Sequence, residues 1–197
     1  MKFKVNEITT LAIFAALWGA IEITLGTFLH VMRAPFIGAL LAGIGAFIML
    51  IARSAVNKKG TTLLIGFIVA LIKLLSVGGS KLLPAMCIFM EAALVEVLLS
   101  VMSLSLLSFC VSAAATTMLT VLQVYINTVI VSGKGIGFFI DGIKHNFEQL
   151  GIGFKGVFSA FVFIVMSKLM VCFALGMFIG AIAWKMTGRL SKLGNRG

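Results

Sequence analysis

Apolar stretches of about twenty residues, parted by short basic breaks, constrain this chain more than any other feature. The first runs from Ile8 to Leu29. A run of that length crosses the hydrocarbon core of a bilayer as a helix, which pairs its own backbone groups where no water is available. Five more follow, over 36–53, 61–78, 84–101, 106–131 and 156–184. The reading is an all-α, polytopic integral membrane bundle of six transmembrane helices, forming a single domain over 1–197. Composition agrees: 61% of residues are hydrophobic and 11% charged, where a soluble domain carries about a quarter charged residues. No small-residue cleavage site with a polar flank follows the first run, so it reads as a retained helix and not as a signal peptide. The last two runs exceed the length a crossing needs and are expected to tilt or project. Pro84 opens the fourth span at a first-turn position where proline is tolerated. The break near Met102 to Leu106 carries no charge. Without it, a five-span chain with ends on opposite sides would result.

Lys and Arg number 16 against 6 acids, and the pI is near 10. Such a balance can mark a nucleic-acid binder. Here the basic residues sit in the breaks between apolar runs, so no nucleic-acid partner is expected and the positive-inside rule applies instead. With the N-terminus inside, the cytoplasmic set is Lys2, Lys4, Arg53, Lys58, Lys59, Lys185, Arg189, Lys192 and Arg196. The outer set is Arg33, Lys81, Lys134, Lys144 and Lys155. The bias puts both termini in the cytoplasm of a multi-pass plasma-membrane protein. The one long hydrophilic stretch, the outer loop 132–155, holds Asp141, Lys144, His145, Asn146 and Glu148. A functional lid and a re-entrant or interfacial segment both fit it.

Enzyme signatures are not found. The sequence has no Walker A pattern, no GxSG-type serine with a paired histidine, and no histidine–acid cluster. Cys87, Cys110 and Cys172 form no CxxC and read as core residues. His30, in the short loop with Arg33, has no second ligand at metal spacing. The chain therefore reads as a non-enzyme without metal or cofactor.

Ionisable residues inside spans are costly and face an interior or a cavity. They are Glu22, Lys73, Glu91, Glu96 and Lys168. At about 1.5 Å per residue, Glu22, Lys73 and Glu91 come out near one level, about 10 Å beneath the outer face. The same counting puts Lys168 and Glu96 deeper, near mid-membrane. In the fifth span Ser112, Thr116, Thr120, Gln123 and Asn127 share one helical stripe, and the last two reach the outer level. Two readings stand. The groups pair as buried ion pairs and interhelical hydrogen bonds, or they form an outward polar pocket for a small polar solute. The pocket set is Glu22, Lys73, Glu91, Gln123, Asn127 and Lys168. Glu91 and Glu96 are five residues apart and point about 140° from each other, so Glu91 is preferred for the pocket.

Small residues recur every fourth position in Ala12, Ala16 and Ala20, in Gly38, Ala42 and Ala46, and in Gly176 and Gly180. Such rows let helices approach closely in lipid. For the first row, packing within the bundle and docking of a partner helix are both open.

The size, the six spans and the row Leu11-Ala12-Ile13-Phe14-Ala15-Ala16-Leu17-Trp18-Gly19-Ala20 resemble the substrate-binding S-component of an energy-coupling factor (ECF) vitamin transporter. Lys81-Leu82-Leu83-Pro84-Ala85-Met86, running to Glu91 and Glu96, is similar to the third loop and fourth helix of members linked to thiamine or its pyrimidine precursor. The resemblance implies an ECF-type ABC importer in which Ala12, Ala16 and Ala20 dock onto a transmembrane T-component. Two cytoplasmic ATPases would supply the energy. It further implies a water-soluble vitamin or precursor held near the outer face, thiamine-precursor-like in preference, and an S-component that topples to carry its pocket inward. The alternatives are a non-transporting membrane assembly subunit and a stand-alone proton-linked secondary transporter.

Overall fold

The computed structural model describes residues 3–31, 36–76, 82–132 and 157–194. Within them the chain forms six helices: α1 Val5–Val31, α2 Ile37–Ala55, α3 Thr61–Leu75, α4 Leu82–Met102, α5 Leu106–Ser132 and α6 Val157–Gly194. The outer loop 132–155 lies beyond the described residues except for Ser132, as does Arg33; the side chain of His30 is likewise not described.

The uncharged break near Met102 is a real turn. Ser103 takes a left-handed conformation at φ 59°, which an α-helix cannot continue through. Ser105 and Ser108 then cap the next helix: the Ser108 N–H donates to the Ser105 hydroxyl at 3.1 Å, and the Ser105 N–H donates to the Ser108 hydroxyl at 2.9 Å. A serine at the cap satisfies N–H groups that the first helical turn leaves without partners.

Five of the helices carry apolar stretches long enough to cross a membrane, and α3 is apolar but shorter, at 15 residues. At about 1.5 Å per residue α3 covers about 22 Å, less than the roughly 30 Å hydrocarbon core. The helix α6 runs well past the expected boundary at 184. Nothing after Trp184 breaks it, and Lys185, Arg189 and Lys192 lie towards its C-terminus, where cations favour the helix dipole.

The helix α2 is the axle of the bundle. It packs on each of the other five, which follow around it in the order α1, α3, α4, α5, α6. Small residues make this possible: Ala39, Ala42, Gly43, Gly45, Ala46 and Ala52 are all buried along α2. The indole of Trp18 lies so close over Gly45 that a Cβ there would strike its ring. Leu11, Ala15, Trp18, Met49, Leu50, Ile65, Val69, Ala92 and Val95 form the main core. The outward faces carry large apolar side chains, among them Ile13, Leu17, Phe67, Leu71, Val97, Phe163, Met170 and Phe178. An apolar belt on several helices is untenable in water and suited to acyl chains. The chain is a multi-pass membrane protein.

Contacts at one end of the bundle fix the relative direction of the helices. The Lys58 ammonium, in the α2–α3 turn, donates to Glu7 of α1 at 2.7 Å and lies 5.8 Å from the Phe3 ring centre. The Phe109 ring, early in α5, meets Trp184, late in α6, edge-on at 5.2 Å. The start of α1 and the later part of α6 therefore lie at the same end. This is called the terminal end below, and the other the far end.

Glu96 belongs to the terminal end. Its carboxylate accepts from the Gly60 N–H at 2.6 Å, the Thr62 N–H at 3.0 Å, the Thr62 hydroxyl at 2.7 Å and the Ser100 hydroxyl at 3.2 Å. The Arg53 Nη2 stands 4.0 Å away. Glu96 thus caps α3 from α4, placing a negative charge where the α3 dipole is positive. Mid-membrane depth, expected from counting, is corrected: the side chain reaches to the first residues of α3.

Elsewhere α3 and α4 meet through Gly66, where an added Cβ would fall on the Cβ of Ala92. Gly66→Val should therefore lower stability by about 1–3 kcal/mol through overpacking, read as a fall in the unfolding midpoint in detergent. An unchanged midpoint would show that the two helices can part freely.

Candidate functional site

Far-end segments of α1, α2, α4, α5 and α6 leave a cavity of about 490 Å³ between them. This lies within the usual range for small-molecule sites, about 300–1,000 Å³. Its walls are mostly apolar, from Ile37, Leu41, Ile88, Val121 and Val124, and its polar groups are few: Glu22, Glu91, Thr120, Gln123 and Lys168. Phe36 stands at the cavity in a left-handed conformation, φ 59° and ψ 26°, immediately before α2. A bulky residue rarely adopts that backbone, and such strain persists only where the surroundings impose it.

Each polar group reaches the cavity by helical geometry. Leu11, Ala15, Trp18, Glu22 and Gly26 lie on the buried face of α1. Glu22 is 8% exposed. Its Oε1 accepts from the Lys73 ammonium at 3.1 Å, which also donates to the Glu22 backbone carbonyl at 3.4 Å. An added Cβ at Gly26 would sit 3.8 Å from the Glu22 carboxylate and 3.9 Å from the Lys73 nitrogen. These are ordinary contact distances from the pair. Lys73 does not line the cavity; it anchors Glu22 from α3.

Glu91, on α4, is 6% exposed and takes a hydrogen bond from the Gln123 amide of α5. Gln123 also makes a long contact, 3.5 Å, to the Cys87 carbonyl. On the α5 stripe Ser112, Thr116, Thr120 and Gln123 are all buried. The Thr116 hydroxyl donates to the Ser112 carbonyl and the Thr120 hydroxyl to the Thr117 carbonyl, at 2.8 and 2.7 Å. These hydroxyls satisfy themselves within their own helix. Among the described residues of the stripe, Thr120 and Gln123 border the cavity. The side chain of Asn127 lies outside the described residues.

Lys168 needs a correction of level. The Thr117 hydroxyl donates to the Cys172 carbonyl at 2.7 Å, which pins α5 against α6. Gly176 and Gly180 tighten the same contact, against Ala114 and Cys110. One turn nearer the far end, Lys168 faces the same cavity as Glu91. It does not share a mid-membrane layer with Glu96. Of the six pocket residues inferred from sequence, four border one cavity: Glu22, Glu91, Gln123 and Lys168.

Cys87 and Cys172, read from sequence as core, also border the cavity. Cys87 precedes Glu91 by four residues and Cys172 follows Lys168 by four, so each shares a helix face with an ionisable group. That spacing was the available signal. Among the described residues no group of acids, histidines and cysteines could hold a metal ion.

The alanine row is turned away from all of this. Ala12, Ala16 and Ala20 are exposed on the outer side of α1, opposite Leu11, Ala15 and Trp18. Packing within the bundle is therefore not their role. Ala42 and Ala46 of the second row are buried in the bundle, while Gly38 is exposed beside the cavity.

Removing one partner of a buried ion pair strands the other at a cost of about 3–5 kcal/mol. Lys73→Met should destabilise the protein on that scale, and Glu22→Gln combined with Lys73→Met should recover most of the loss in chemical denaturation. Additive losses would mean that the two side chains do not act as a pair. No family model, no curated protein and no solved structure matches the chain.

Proposed function

We propose that this protein is the membrane-embedded solute-binding subunit of an energised importer of the ECF type, capturing a small water-soluble vitamin or vitamin precursor. The observation that carries the reading is the far-end cavity. A bundle made for lipid keeps about 490 Å³ open beside Glu22, Glu91, Gln123 and Lys168, although each polar side chain held there is costly. A purely structural ion pair needs no such space around it.

In this reading the termini are cytoplasmic, the membrane is the plasma membrane, and the far end faces outward, as the distribution of basic residues favours. Glu22, Glu91, Gln123 and Lys168 contact the solute, with Asn127 as a further candidate, and Lys73 holds Glu22 in place. The protein binds and does not catalyse. Energy comes from partners: a T-component that seats against Ala12, Ala16 and Ala20, and two cytoplasmic ATPases. The exposure of that row on α1 supports docking, since small side chains on an outer face allow a second helix to come close. A precursor of the thiamine type is the preferred solute, on the resemblance of the segment from Lys81 to Glu96.

A second reading, a stand-alone proton-linked transporter, is favoured by one observation. Glu91 is buried beside the cavity and forms no ion pair among the described residues, as a carboxylate that carries protons would. Uptake into proteoliposomes without any ATPase would support it and remove the first reading.

Equilibrium binding tests the principal proposal. Purified protein should bind a vitamin or precursor at nanomolar to micromolar concentration, and Glu91→Ala should weaken binding at least tenfold without unfolding the protein. Full binding by that variant would remove Glu91 from the site. In a separate co-purification, Ala16→Leu should abolish capture of the T-component while leaving solute binding intact. Undiminished capture would show that the partner docks elsewhere.

A further inference from the structure

The charges around the cavity are arranged unequally. Glu22 is answered by Lys73 at 3.1 Å. Glu91 and Lys168 are not answered: among the described residues neither forms an ion pair. They stand on different walls of one cavity, Glu91 on α4 and Lys168 on α6. The helix α5 packs against both of these helices and lies between them. Each has a neighbour on its own side of the cavity. Glu91 is held by Gln123, and Lys168 is fixed in register by the Thr117–Cys172 bond one turn away. An acid and a cation thus border one mostly apolar cavity without forming an ion pair among the described residues.

Resting on the solute-binding reading above, we infer that the solute is dipolar. It carries a cationic or strong donor group that meets Glu91 and an anionic or strong acceptor group that meets Lys168, joined by an apolar body. The physical reason is charge balance in a low-dielectric site. Among the described residues Glu22 is balanced by Lys73, which anchors it from behind the cavity wall, and Glu91 and Lys168 add one acid and one base that border the cavity. A solute with one net charge would upset that balance inside the membrane, where an uncompensated ion is expensive. A dipolar solute leaves the total unchanged and gives each isolated charge its counterpart. The wall residues Ile37, Leu41, Ile88 and Val121, with Phe36 beside them, suit the body between the two ends.

The test uses the full chain in detergent, incubated with the fraction of yeast extract below 1 kDa, washed, and eluted into a mass spectrometer. Wild type should retain a compound bearing both a basic and an acidic or phosphate-like group. Glu91→Gln and Lys168→Met should each reduce its retention about thirtyfold or more, the usual scale for cutting one side of a buried charged contact. Lys168→Arg keeps the cation and should retain the compound, which separates loss of charge from loss of fold. A retained compound with a single charge or none, or one indifferent to Lys168→Met, would overturn the dipolar assignment while leaving solute binding in place. Retention of nothing by wild type would overturn the solute-binding reading itself.

Discussion

In hydrocarbon a polar group has no water to fall back on, and every other feature of this protein follows from how its polar groups are answered. Three solutions recur. Hydroxyls on α5 bond to carbonyls of their own helix, so that Thr116 and Thr120 cost little despite burial. Glu96 gathers four hydrogen bonds and the nearby Arg53, and in doing so ties α4 to the start of α3. Glu22 and Lys73 join α1 to α3 nearer the other end. The apolar packing between these points gives most of the contact, but the polar links set which helix ends meet.

Glu91 and Lys168, which border the cavity, belong to none of those three solutions. Both line an open volume, and among the described residues neither has a counter-charge in ion-pair contact. That arrangement makes little sense as structure alone, since well-packed apolar residues would stabilise such a position as well or better. It makes sense if a solute completes it. The same economy suits a subunit that must move or open within lipid, because among the described residues few ionisable groups border the cavity. The two ends of the bundle then differ: the Glu96 network ties α4 to the start of α3 at the terminal end, and the cavity lies among far-end segments of five helices.

Much of this was legible in the sequence. Apolar run length marked the six helices, because a membrane demands continuous helices and leaves long runs as their trace. The residues Glu22, Glu91, Gln123 and Lys168 were legible as candidates because ionisable and amide side chains in such runs are few. Depth was less legible. Counting from span ends placed Lys168 beside Glu96, yet α6 extends to Gly194 and its midpoint is not the midpoint of the shorter helices; its register depends on Gly176, Gly180 and the Thr117 hydroxyl. Arg53 read as a membrane-edge cation, but it is 4% exposed because α2 packs against all five other helices. The direction of the alanine row was not legible either. Small residues suit an inner and an outer contact equally, and only the burial of Leu11, Ala15 and Trp18 on the opposite face decides it.

The central claim is that the far-end cavity is open to solute from outside the cell, and a native thiol reports on it. Cys87 borders the cavity, whereas Cys110 is buried where α5 meets Gly180. A membrane-impermeant maleimide applied to intact cells, with labelled sites mapped by peptide mass spectrometry, measures access directly. The account predicts modification at Cys87 from the outside and none at Cys110 until the protein is denatured. Modification of Cys87 only in inverted vesicles, or in neither preparation, would contradict it.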